Sequence, residues 1–283
     1  MKYLYYPGCS LEGTAKEYNL STQAFMKAVG AELVEIEDWV CCGASAAEAT
    51  SQLLSLALPA MNLAIAENME GSEDILVPCS ACYLNLKKVE EKTRKDPELL
   101  EKINTVIQEK NLRLKGGGAR TRHLLDVISK DIGPEEIRSR VKQKLSNLSI
   151  APYYGCQLNR PWADIDDAHN PVLMDGLIRA VGAKPLENYS AKTECCGAAQ
   201  MVAYKELCVP LNRRIVKDAV NKGANAICTV CPLCQLNVDS SQAGLGLPKI
   251  PVIFFTQLMG LAFGLTEEDL MLNKLLTPFK TAV

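Results

Sequence analysis

A cysteine-bearing stretch occurs twice in the chain, first as Val77-Pro78-Cys79-Ser80-Ala81-Cys82-Tyr83-Leu84-Asn85 and again, 152 residues later, as Thr229-Val230-Cys231-Pro232-Leu233-Cys234-Gln235-Leu236-Asn237. Three more blocks recur in the same order: Tyr5-Tyr6-Pro7-Gly8-Cys9 with Tyr153-Tyr154-Gly155-Cys156, Lys27 to Ala31 with Arg179 to Ala183, and Cys41-Cys42-Gly43-Ala44 with Cys195-Cys196-Gly197-Ala198. Four blocks in one order at similar offsets indicate an internal repeat. The sequence therefore predicts a duplicated domain.

The length of 283 residues also suits two domains. We expect the first repeat to span residues 1–146 and the second to span residues 147–283. The block at Gly133 corresponds to the block at Gly264 at an offset of only about 132, so the first repeat carries extra residues. They predict a helical insertion near 87–118, where Pro97 can begin a helix. Such a charged helix is either a solvated surface element or a docking site for a partner.

Strand-like and helix-like segments alternate in each repeat. In the first, residues 2–6, 32–37 and 74–77 resemble strands, and residues 20–29 and 51–67 have helical periodicity. The alternation predicts an α/β fold of two pseudo-symmetric repeats, each with a small, mostly parallel sheet flanked by helices. Four cysteines would then follow the carboxyl ends of strands, where open α/β sheets build their sites. They are Cys9, Cys79, Cys156 and Cys231.

The overall composition excludes several classes of protein. Hydrophobic residues make up 48% of the chain and charged residues 23%, and the net charge of −2 leaves no basic excess for binding nucleic acid. The longest apolar run, Pro251 to Leu265, is about five residues short of the ~20 that span a bilayer, and the N-terminus has no signal-peptide pattern. We therefore expect no transmembrane segment and a cytoplasmic protein with reduced thiols. In that compartment, clustered cysteines usually serve metal or redox chemistry.

Ten of the twelve cysteines belong to the repeated pattern. Each repeat has one isolated cysteine, a vicinal pair followed by glycine, and a C-x2-C pair. The candidate metal ligands are Cys9, Cys41, Cys42, Cys79 and Cys82 in the first repeat and Cys156, Cys195, Cys196, Cys231 and Cys234 in the second. Cys208 and Cys228 lie outside the pattern, and we expect both to be small buried hydrophobic residues.

Five thiols in each repeat restrict the chemistry. A structural zinc site takes four ligands and would leave one cysteine unused, and the two histidines, His123 and His169, lie outside the repeated blocks, where we expect ordinary core or surface roles. Disulfides suit neither a reducing compartment nor an odd number of thiols. Iron–sulfur clusters fit best because soft thiolates select them and a cubane takes four. A zinc or dithiol protein without clusters is the alternative.

The doubled spacing Cys9-x31-Cys41-Cys42-x36-Cys79 and Cys156-x38-Cys195-Cys196-x34-Cys231 resembles the signature of the CCG-domain (cysteine-rich domain) family. Two intact copies in a chain of this length are similar to the B subunit of heterodisulfide reductase. The resemblance extends from Tyr5 to about Leu265. Related CCG proteins occur in fumarate and succinate reductases and in sulfur-oxidising complexes.

This resemblance implies a mechanism. Each five-cysteine set would hold a [4Fe–4S] cluster of the non-cubane type, and the two clusters would face each other across the pseudo-two-fold interface. A small-molecule disulfide, such as the coenzyme M–coenzyme B heterodisulfide of methanogenesis, would lie between them and be split, each sulfur being captured by an iron of one cluster. Electrons would arrive from the ferredoxin-like iron–sulfur C subunit of the complex, itself supplied by its flavin-containing A subunit.

Two roles follow from the resemblance. The chain is either the catalytic subunit that reduces a low-molecular-weight disulfide, or an electron-relay subunit of a related fumarate-, succinate- or sulfur-oxidising complex without its own substrate. In the first role, Arg160, which closely follows Cys156, is the candidate for binding an anionic group of the substrate.

Residues near the cysteines supply the remaining candidates. Tyr6, Tyr154 and Trp39 are close in sequence to candidate ligands and would either shield the clusters from water or serve as ordinary core aromatics. Asn85 and Asn237 occupy the same place after each C-x2-C pair, where an amide can hydrogen-bond loop backbone or sulfur, or cap a helix.

Overall fold

Two parallel β-sheets form the centre of the protein in the computed structural model, which describes residues 1–70 and 74–279. Each sheet has four strands, and every strand pair in these residues is parallel. Helices connect the strands and cover the sheet faces. The predicted α/β architecture of two similar halves is therefore confirmed.

The first sheet has the strand order β2-β1-β3-β4. Its strands are β1 (Lys2–Tyr5), β2 (Glu32–Glu35), β3 (Asp74–Val77) and β4 (Arg120–His123). In the two central strands, β1 and β3, three of the four residues are buried. The edge strand β4 has the polar sequence Arg-Thr-Arg-His and pairs with β3 up to the residues Val77 and His123.

The second sheet repeats this arrangement in the order β6-β5-β7-β8. Its strands are β5 (Ser149–Tyr153), β6 (Lys184–Pro185), β7 (Ala226–Thr229) and β8 (Val252–Phe254). Because the order is the same, β1 corresponds to β5 and β3 to β7. The repeated cysteine blocks therefore follow corresponding strands in the two halves.

The helices of the described residues follow a similar plan, although the first half has eight α-helices and the second half five. That half contains α1 (Cys9–Glu12), α2 (Lys16–Ala28), α3 (Ala44–Thr50), α4 (Gln52–Ala66), α5 (Ser80–Lys95), α6 (Pro97–Ile107), α7 (Leu124–Val127) and α8 (Pro134–Arg140). The second half contains α9 (Leu173–Ala180), α10 (Lys205–Asn221), α11 (Pro232–Ser241), α12 (Phe255–Ala262) and α13 (Glu267–Leu270). The predicted domain boundary at residues 146/147 falls in the connection between α8 and β5.

Helix α6 lies in the predicted insertion and begins at Pro97, as expected. Asp96 caps it, since its carboxylate accepts a hydrogen bond from the backbone N–H of Leu99 at 2.9 Å. Ile103 and Ile107 are buried, and the helix packs against α4. The insertion is therefore an amphipathic helix that covers α4 and is not solvated on all sides.

Corresponding helices join the two halves. Helix α2 packs against α12 and α13, and helix α9 packs against α7 and α8. Tyr18 of α2 stacks on Phe254 with ring centroids 4.0 Å apart, and Ser21 Oγ lies 2.7 Å from Thr256 Oγ1. The aromatic stack and the buried hydroxyl pair fix one half against the other.

The hydroxyl group of Tyr18 also connects the ends of β3 and β7. It donates hydrogen bonds to the carbonyl oxygens of Pro78 and Val230, each at 3.2 Å. The buried imidazole of His123 lies near the same two carbonyls. Since Pro78 and Val230 precede Cys79 and Cys231, the Tyr18 bonds bring the two cysteine blocks side by side.

Within residues 1–70 and 74–279, no helix is both long enough and apolar enough to cross a membrane. The apolar run from Pro251 to Leu265 instead supplies strand β8 and helix α12. Phe254 and Phe255, in the middle of this run, are fully buried between the halves.

Candidate metal centre

Corresponding strand ends position the cysteines. Cys79 and Cys231 are the N-cap residues of α5 and α11, two residues beyond the ends of the strands β3 and β7. Cys9 is the first residue of α1, and Cys156 lies in the loop after β5. The expectation that these four cysteines follow the carboxyl ends of strands is therefore confirmed.

The glycine after each vicinal pair permits a sharp turn. Gly43 and Gly197 have φ angles of +82° and +81°, in the left-handed region that side chains other than glycine rarely adopt. A Cβ atom at Gly43 would lie 2.5 Å from the Cβ of Ala47, so space is also lacking. The backbone N–H groups of these glycines point to sulfur, at 3.4 Å from Cys41 Sγ and 3.3 Å from Cys195 Sγ.

The five thiols of the first half form a continuous row. The Sγ atoms of Cys9 and Cys41 are 3.5 Å apart, and those of Cys42 and Cys82 are 3.4 Å apart. Cys41 also contacts Cys42, and Cys79 contacts Cys82. We call these five residues the first cysteine set.

The second cysteine set has the same pairing. The Sγ atoms of Cys196 and Cys234 are 3.5 Å apart, Cys156 contacts Cys195, and Cys231 contacts Cys234. The backbone N–H groups of Leu233 and Cys234, in the first turn of α11, donate to the Cys231 sulfur and, with Cys234 and Cys79, help lower its pKa. The start of helix α11 therefore contributes to stabilising the Cys231 thiolate.

The two sets meet at the centre of the molecule, where the side chains of Cys79 and Cys231 contact each other. No three His, Cys, Asp or Glu side chains of the described residues are grouped as a single metal ion would need. Ten thiols arranged as two adjoining rows are soft donors, the type of ligand that iron–sulfur clusters take.

The crowding of thiols affects their ionisation. Hydrogen bonding to Cys41, followed by burial, raises the pKa of Cys9 well above that of a free thiol, while hydrogen bonds from Cys42 and Cys9 lower the pKa of Cys41 to about 2. One thiolate in such a row is stabilised at the expense of its neighbours. Deprotonating all five together requires a cationic partner, and a metal centre supplies that charge.

The two asparagines have the same role in each half. Asn85 Nδ2 donates to the carbonyl oxygens of Cys42 and Ala44, at 3.3 and 3.1 Å. Asn237 Nδ2 donates to the carbonyl oxygen of Cys196 at 2.8 Å. Each amide therefore holds the turn of the vicinal pair against the helix that follows the C-x2-C pair, and neither acts as a helix cap.

The two tyrosines near the cysteines are held differently. The Tyr6 hydroxyl donates to the carbonyl oxygen of Val40 at 2.7 Å, and the Tyr6 ring meets the Trp39 ring edge-on with centroids 5.4 Å apart. The Tyr154 hydroxyl donates to Asp175 Oδ2 at 2.8 Å. Both tyrosines are fully buried and brace the segments that carry cysteines.

A buried ion pair supports the loop of Cys156. Lys192 Nζ lies 2.7 Å from Asp175 Oδ1, with the two side chains only 5% and 3% exposed. The carbonyl oxygen of Lys192 accepts hydrogen bonds from the N–H groups of Tyr154 and Gly155 at 2.8 and 3.1 Å. Sequence analysis missed this pair because the two residues belong to no motif and lie 17 positions apart.

A cavity of about 290 Å³ is lined by residues close in sequence to cysteines of both sets, although no cysteine lines it. Ala81 lies within the first C-x2-C pair, and Gln157 directly follows Cys156. The residues that line the cavity are Ala44, Ser45, Glu48, Ala81, Leu84, Asn85, Lys88, Lys92, Gln157, Pro161 and Trp162. Trp162 and Leu84 give it an apolar wall, while Lys88, paired with Glu48 at 2.9 Å, and Lys92 give it a cationic edge.

The remaining sequence-based candidate is Arg160. Arg160 is exposed, and its Nη2 donates to the carbonyl oxygen of Ala168 at 2.7 Å and to Thr193 Oγ1 at 3.3 Å. It is next to Pro161 but does not line the cavity. Its role with a substrate stays a prediction.

The other two cysteines and the two histidines have the structural roles expected of them. Cys208 and Cys228 are 2% and 0% exposed. His123 is fully buried, accepts a hydrogen bond from the N–H of Leu125 at its Nδ1 atom, and has its pKa lowered to about 4 by burial. His169 is exposed on a loop.

Comparisons with known proteins agree with the repeated pattern. A family profile described as "Cysteine-rich domain" (CCG) matches residues 3–87 and 150–239. The 8-methylmenaquinol:fumarate reductase membrane anchor subunit of Wolinella succinogenes is 32% identical over 279 residues, which cover 96% of this chain and 95% of that protein. The B subunit of the ferredoxin:CoB-CoM heterodisulfide reductase of Methanosarcina mazei is 28% identical over 93% of this chain and 89% of its own length.

One solved structure has a similar fold. A hypothetical protein from Helicobacter pylori superimposes with a TM-score of 0.78 over 99% of this chain, at 12% sequence identity. The chain spans about half of that structure, 52% of its length. This similarity concerns the arrangement of strands and helices alone.

Proposed function

Because the chain belongs to the cysteine-rich (CCG) domain family and resembles oxidoreductase subunits over nearly its whole length, we propose that it is the catalytic subunit of a heterodisulfide reductase-type complex. In this proposal it reduces a low-molecular-weight disulfide of the coenzyme M–coenzyme B type. The observation that carries the proposal is the pair of complete five-thiol sets, in which Cys79 and Cys231 contact each other, together with a cavity whose lining includes sequence neighbours of cysteines from both sets.

Each cysteine set would hold one [4Fe–4S] cluster of the non-cubane type, with the ten repeated cysteines as ligands. When bound, the two clusters would supply the two electrons that convert a disulfide into two thiolates. The chain's own contribution is to hold the thiols in place. The turns at Gly43 and Gly197 let the backbone pass close to the sulfur atoms, and Asn85 and Asn237 fasten those turns.

The cavity supports a disulfide substrate because it combines an apolar wall with cations. A ligand with an alkyl chain would contact Trp162 and Leu84, and an anionic end would pair with Lys92. Lys88 is partly neutralised by Glu48, so Lys92 has the larger unmatched charge. Arg160 directly precedes Pro161 in the loop after Cys156, and it is the proposed contact for a second anionic group.

The proposed electron path involves other proteins of the complex, because the two cysteine sets must be reduced again after each turnover. We propose that the direct donor is a ferredoxin-like iron–sulfur protein, the C subunit of the complex, and that a flavin-containing A subunit supplies this donor in turn. The name of the Methanosarcina mazei relative, which includes ferredoxin as its electron donor, supports an iron–sulfur donor.

A second candidate function is that of an electron relay without a substrate of its own. The 32% identity with a fumarate reductase subunit favours it, since that relative's name gives fumarate reduction as the activity of its complex. The cavity lined by sequence neighbours of both cysteine sets favours disulfide reduction. Turnover separates the two, because a relay protein would accept electrons but release no thiol.

The first experiment measures iron and acid-labile sulfide in protein purified without oxygen. We expect about eight irons and eight sulfides per chain, one four-iron cluster for each cysteine set. The second measures thiol release from the coenzyme M–coenzyme B heterodisulfide with reduced methyl viologen as donor. Lys92→Glu should raise KM, whereas Lys102→Glu on the exposed side of α6 should leave it unchanged.

Three outcomes contradict the proposal in different ways. Near-zero iron with about two zinc ions per chain would mean that the thiols are structural. Eight irons without any thiol release would favour the relay function. Turnover that Lys92→Glu leaves unaltered would show that the substrate binds outside the cavity.

A further inference from the structure

Helices α4 and α10 occupy corresponding places in the two halves, but only one of them is covered. Helix α4 packs against α3, α5 and the inserted helix α6. Within the described residues, α10 packs mainly against α11, β7 and two short 3-10 turns, with no counterpart of α6 over its outer face. The duplication therefore leaves one helix open where its twin is enclosed.

The two helices also differ in charge. The segment that contains the first vicinal pair and α4, residues 41–68, has two glutamates and no lysine or arginine. The corresponding segment of the second half, residues 194–222, has five basic residues and three acidic ones. A net positive segment in a chain of net charge −2 is a local feature that the overall composition conceals.

Apolar side chains are exposed next to this positive charge. Val202 is 94% exposed, and Tyr204 and Leu207, at the start of α10, are 55% and 53% exposed. Farther along the helix, Arg213 and Lys217 are exposed, and neither forms an ion pair within the described residues. These five residues form what we call the α10 surface, an apolar end followed by a basic end.

The α10 surface lies directly behind the second vicinal pair. Cys208 Sγ on α10 is 3.2 Å from the carbonyl oxygen of Gly197, and a Cβ atom at Gly197 would be 3.0 Å from Leu211 Cδ1. The outer face of α10 is thus about 10 Å, one helix diameter, from the turn that carries Cys195 and Cys196. Cys195 is itself exposed.

We propose that the α10 surface is the docking site of an acidic electron-donor protein that delivers electrons to the second cysteine set. This inference rests on the proposed function, since it assigns an entry point to the centre held by that set. Charge complementarity selects the partner: Arg213 and Lys217 attract a protein with an acidic surface, and Val202, Tyr204 and Leu207 provide the dry contact that holds it. The α4 region exposes Leu53 and Leu54, but its only charged residues are glutamates, so it offers no attraction to an acidic partner.

Binding is the primary test because it does not depend on catalysis. The probe is an acidic ferredoxin with two [4Fe–4S] clusters, and its affinity for the whole protein is measured by biolayer interferometry at low salt. The doubly substituted Arg213→Glu/Lys217→Glu protein should bind it about tenfold more weakly, and 0.3 M salt should reduce the affinity of the unsubstituted protein. The matched control is Lys102→Glu/Lys110→Glu, the same charge change on exposed residues of the α6 region, and it should bind normally.

Electron transfer provides the second readout. The rate at which reduced ferredoxin bleaches the visible absorbance of the cluster-loaded protein should fall about tenfold in Arg213→Glu/Lys217→Glu and in Val202→Ser/Leu207→Ser. Reduction by methyl viologen, a small donor that needs no docking site, should be the same in every variant. Failure of methyl viologen to reduce even the unsubstituted protein would refute the proposed function itself.

Other results would overturn the docking proposal alone. They are equal ferredoxin binding by the α10 and α6 variants, or absence of binding by the unsubstituted protein while methyl viologen still reduces it. A molar mass in solution that falls from dimer to monomer in Val202→Ser/Leu207→Ser would show that a second copy of the chain covers the α10 surface, and would also exclude the proposed donor.

Discussion

The substitution Lys192→Met tests whether the buried ion pair holds the second half together. The ammonium group of Lys192 donates to Asp175 Oδ1 at 2.7 Å and to the carbonyl oxygen of Pro171 at 2.9 Å, with the side chains of Lys192 and Asp175 almost wholly buried. Methionine fills a similar volume without charge. Asp175 would then keep only the Tyr154 hydroxyl as a side-chain donor and would be a buried, uncompensated carboxylate.

The expected cost is large for one substitution. Removing one partner of a buried pair destabilises proteins by about 3–5 kcal/mol, against a total stability of about 5–15 kcal/mol. With a denaturant slope of about 3 kcal/mol per molar urea, the unfolding midpoint should fall by roughly 1 to 1.7 M. Arg179→Met provides the control, because the Arg179–Glu187 pair is exposed, and pairs of that kind contribute about 0–1 kcal/mol.

The measurement is urea unfolding followed by circular dichroism on reduced, metal-free protein at pH 7. The double variant Lys192→Met/Asp175→Leu should recover most of the lost stability, since an apolar pair of similar volume often replaces a buried ion pair without loss. A midpoint for Lys192→Met within about 0.3 M of the Arg179→Met value, which is about 1 kcal/mol at the same slope, would refute the reasoning. So would a double variant less stable than Lys192→Met.

Three further predictions concern the cysteine sets and the cavity. Cys41→Ser should lower the iron and sulfide content to about half. The control Cys228→Ser, which removes a buried cysteine outside the pattern, should leave the iron and sulfide content unchanged. Loss of all iron from Cys41→Ser would contradict the idea that the two sets bind metal independently. Gly43→Ala should be less stable than Gly223→Ala by more than about 1 kcal/mol. Both glycines have a positive φ, but only Gly43 also lacks room for a Cβ atom. Equal unfolding midpoints for the two variants would contradict this prediction. Trp162→Ala should raise KM for the disulfide about tenfold or more with unchanged iron content, and an unchanged KM would remove Trp162 from the binding site.

The repeated blocks helped to predict the two-sheet architecture, since each block with Cys9, Cys79, Cys156 or Cys231 begins at the last residue of a central strand. β1, β3, β5 and β7 are short apolar runs, and each leads into a block with a cysteine. The edge strands β4 and β8 were not predicted. Arg120-Thr-Arg-His123 has no apolar alternation and joins the sheet by backbone pairing and an Arg120–Asp74 ion pair of 2.6 Å. Val252 to Phe254 is contained in a longer apolar run whose periodicity does not separate strand from helix.

The cysteine rows could be predicted more completely than their surroundings. Spacing alone identified which thiols belong together, because a repeated pattern occupies equivalent places in a repeated fold. The contact between Cys79 and Cys231, the Lys192–Asp175 pair and the cavity with Trp162 each depend on how distant segments meet. These contacts join residues that are far apart in the sequence, so no local sequence pattern predicts them and only the three-dimensional structure shows them. The assignment of the ten thiols as cluster ligands stays a prediction until metal is measured.

The Tyr18 hydroxyl fixes the distance between the carbonyl groups that lead into the two cysteine sets. It contacts the carbonyl oxygens of Pro78 and Val230 at once, each at 3.2 Å, inside a core that excludes water. The separation of the two strand ends is therefore set during folding and not adjusted when a ligand arrives. Metal bound by one set would therefore find the other set already in place beside it, with Cys79 next to Cys231. A substitution at Tyr18 would alter the spacing of the two sets without removing any of the ten thiols.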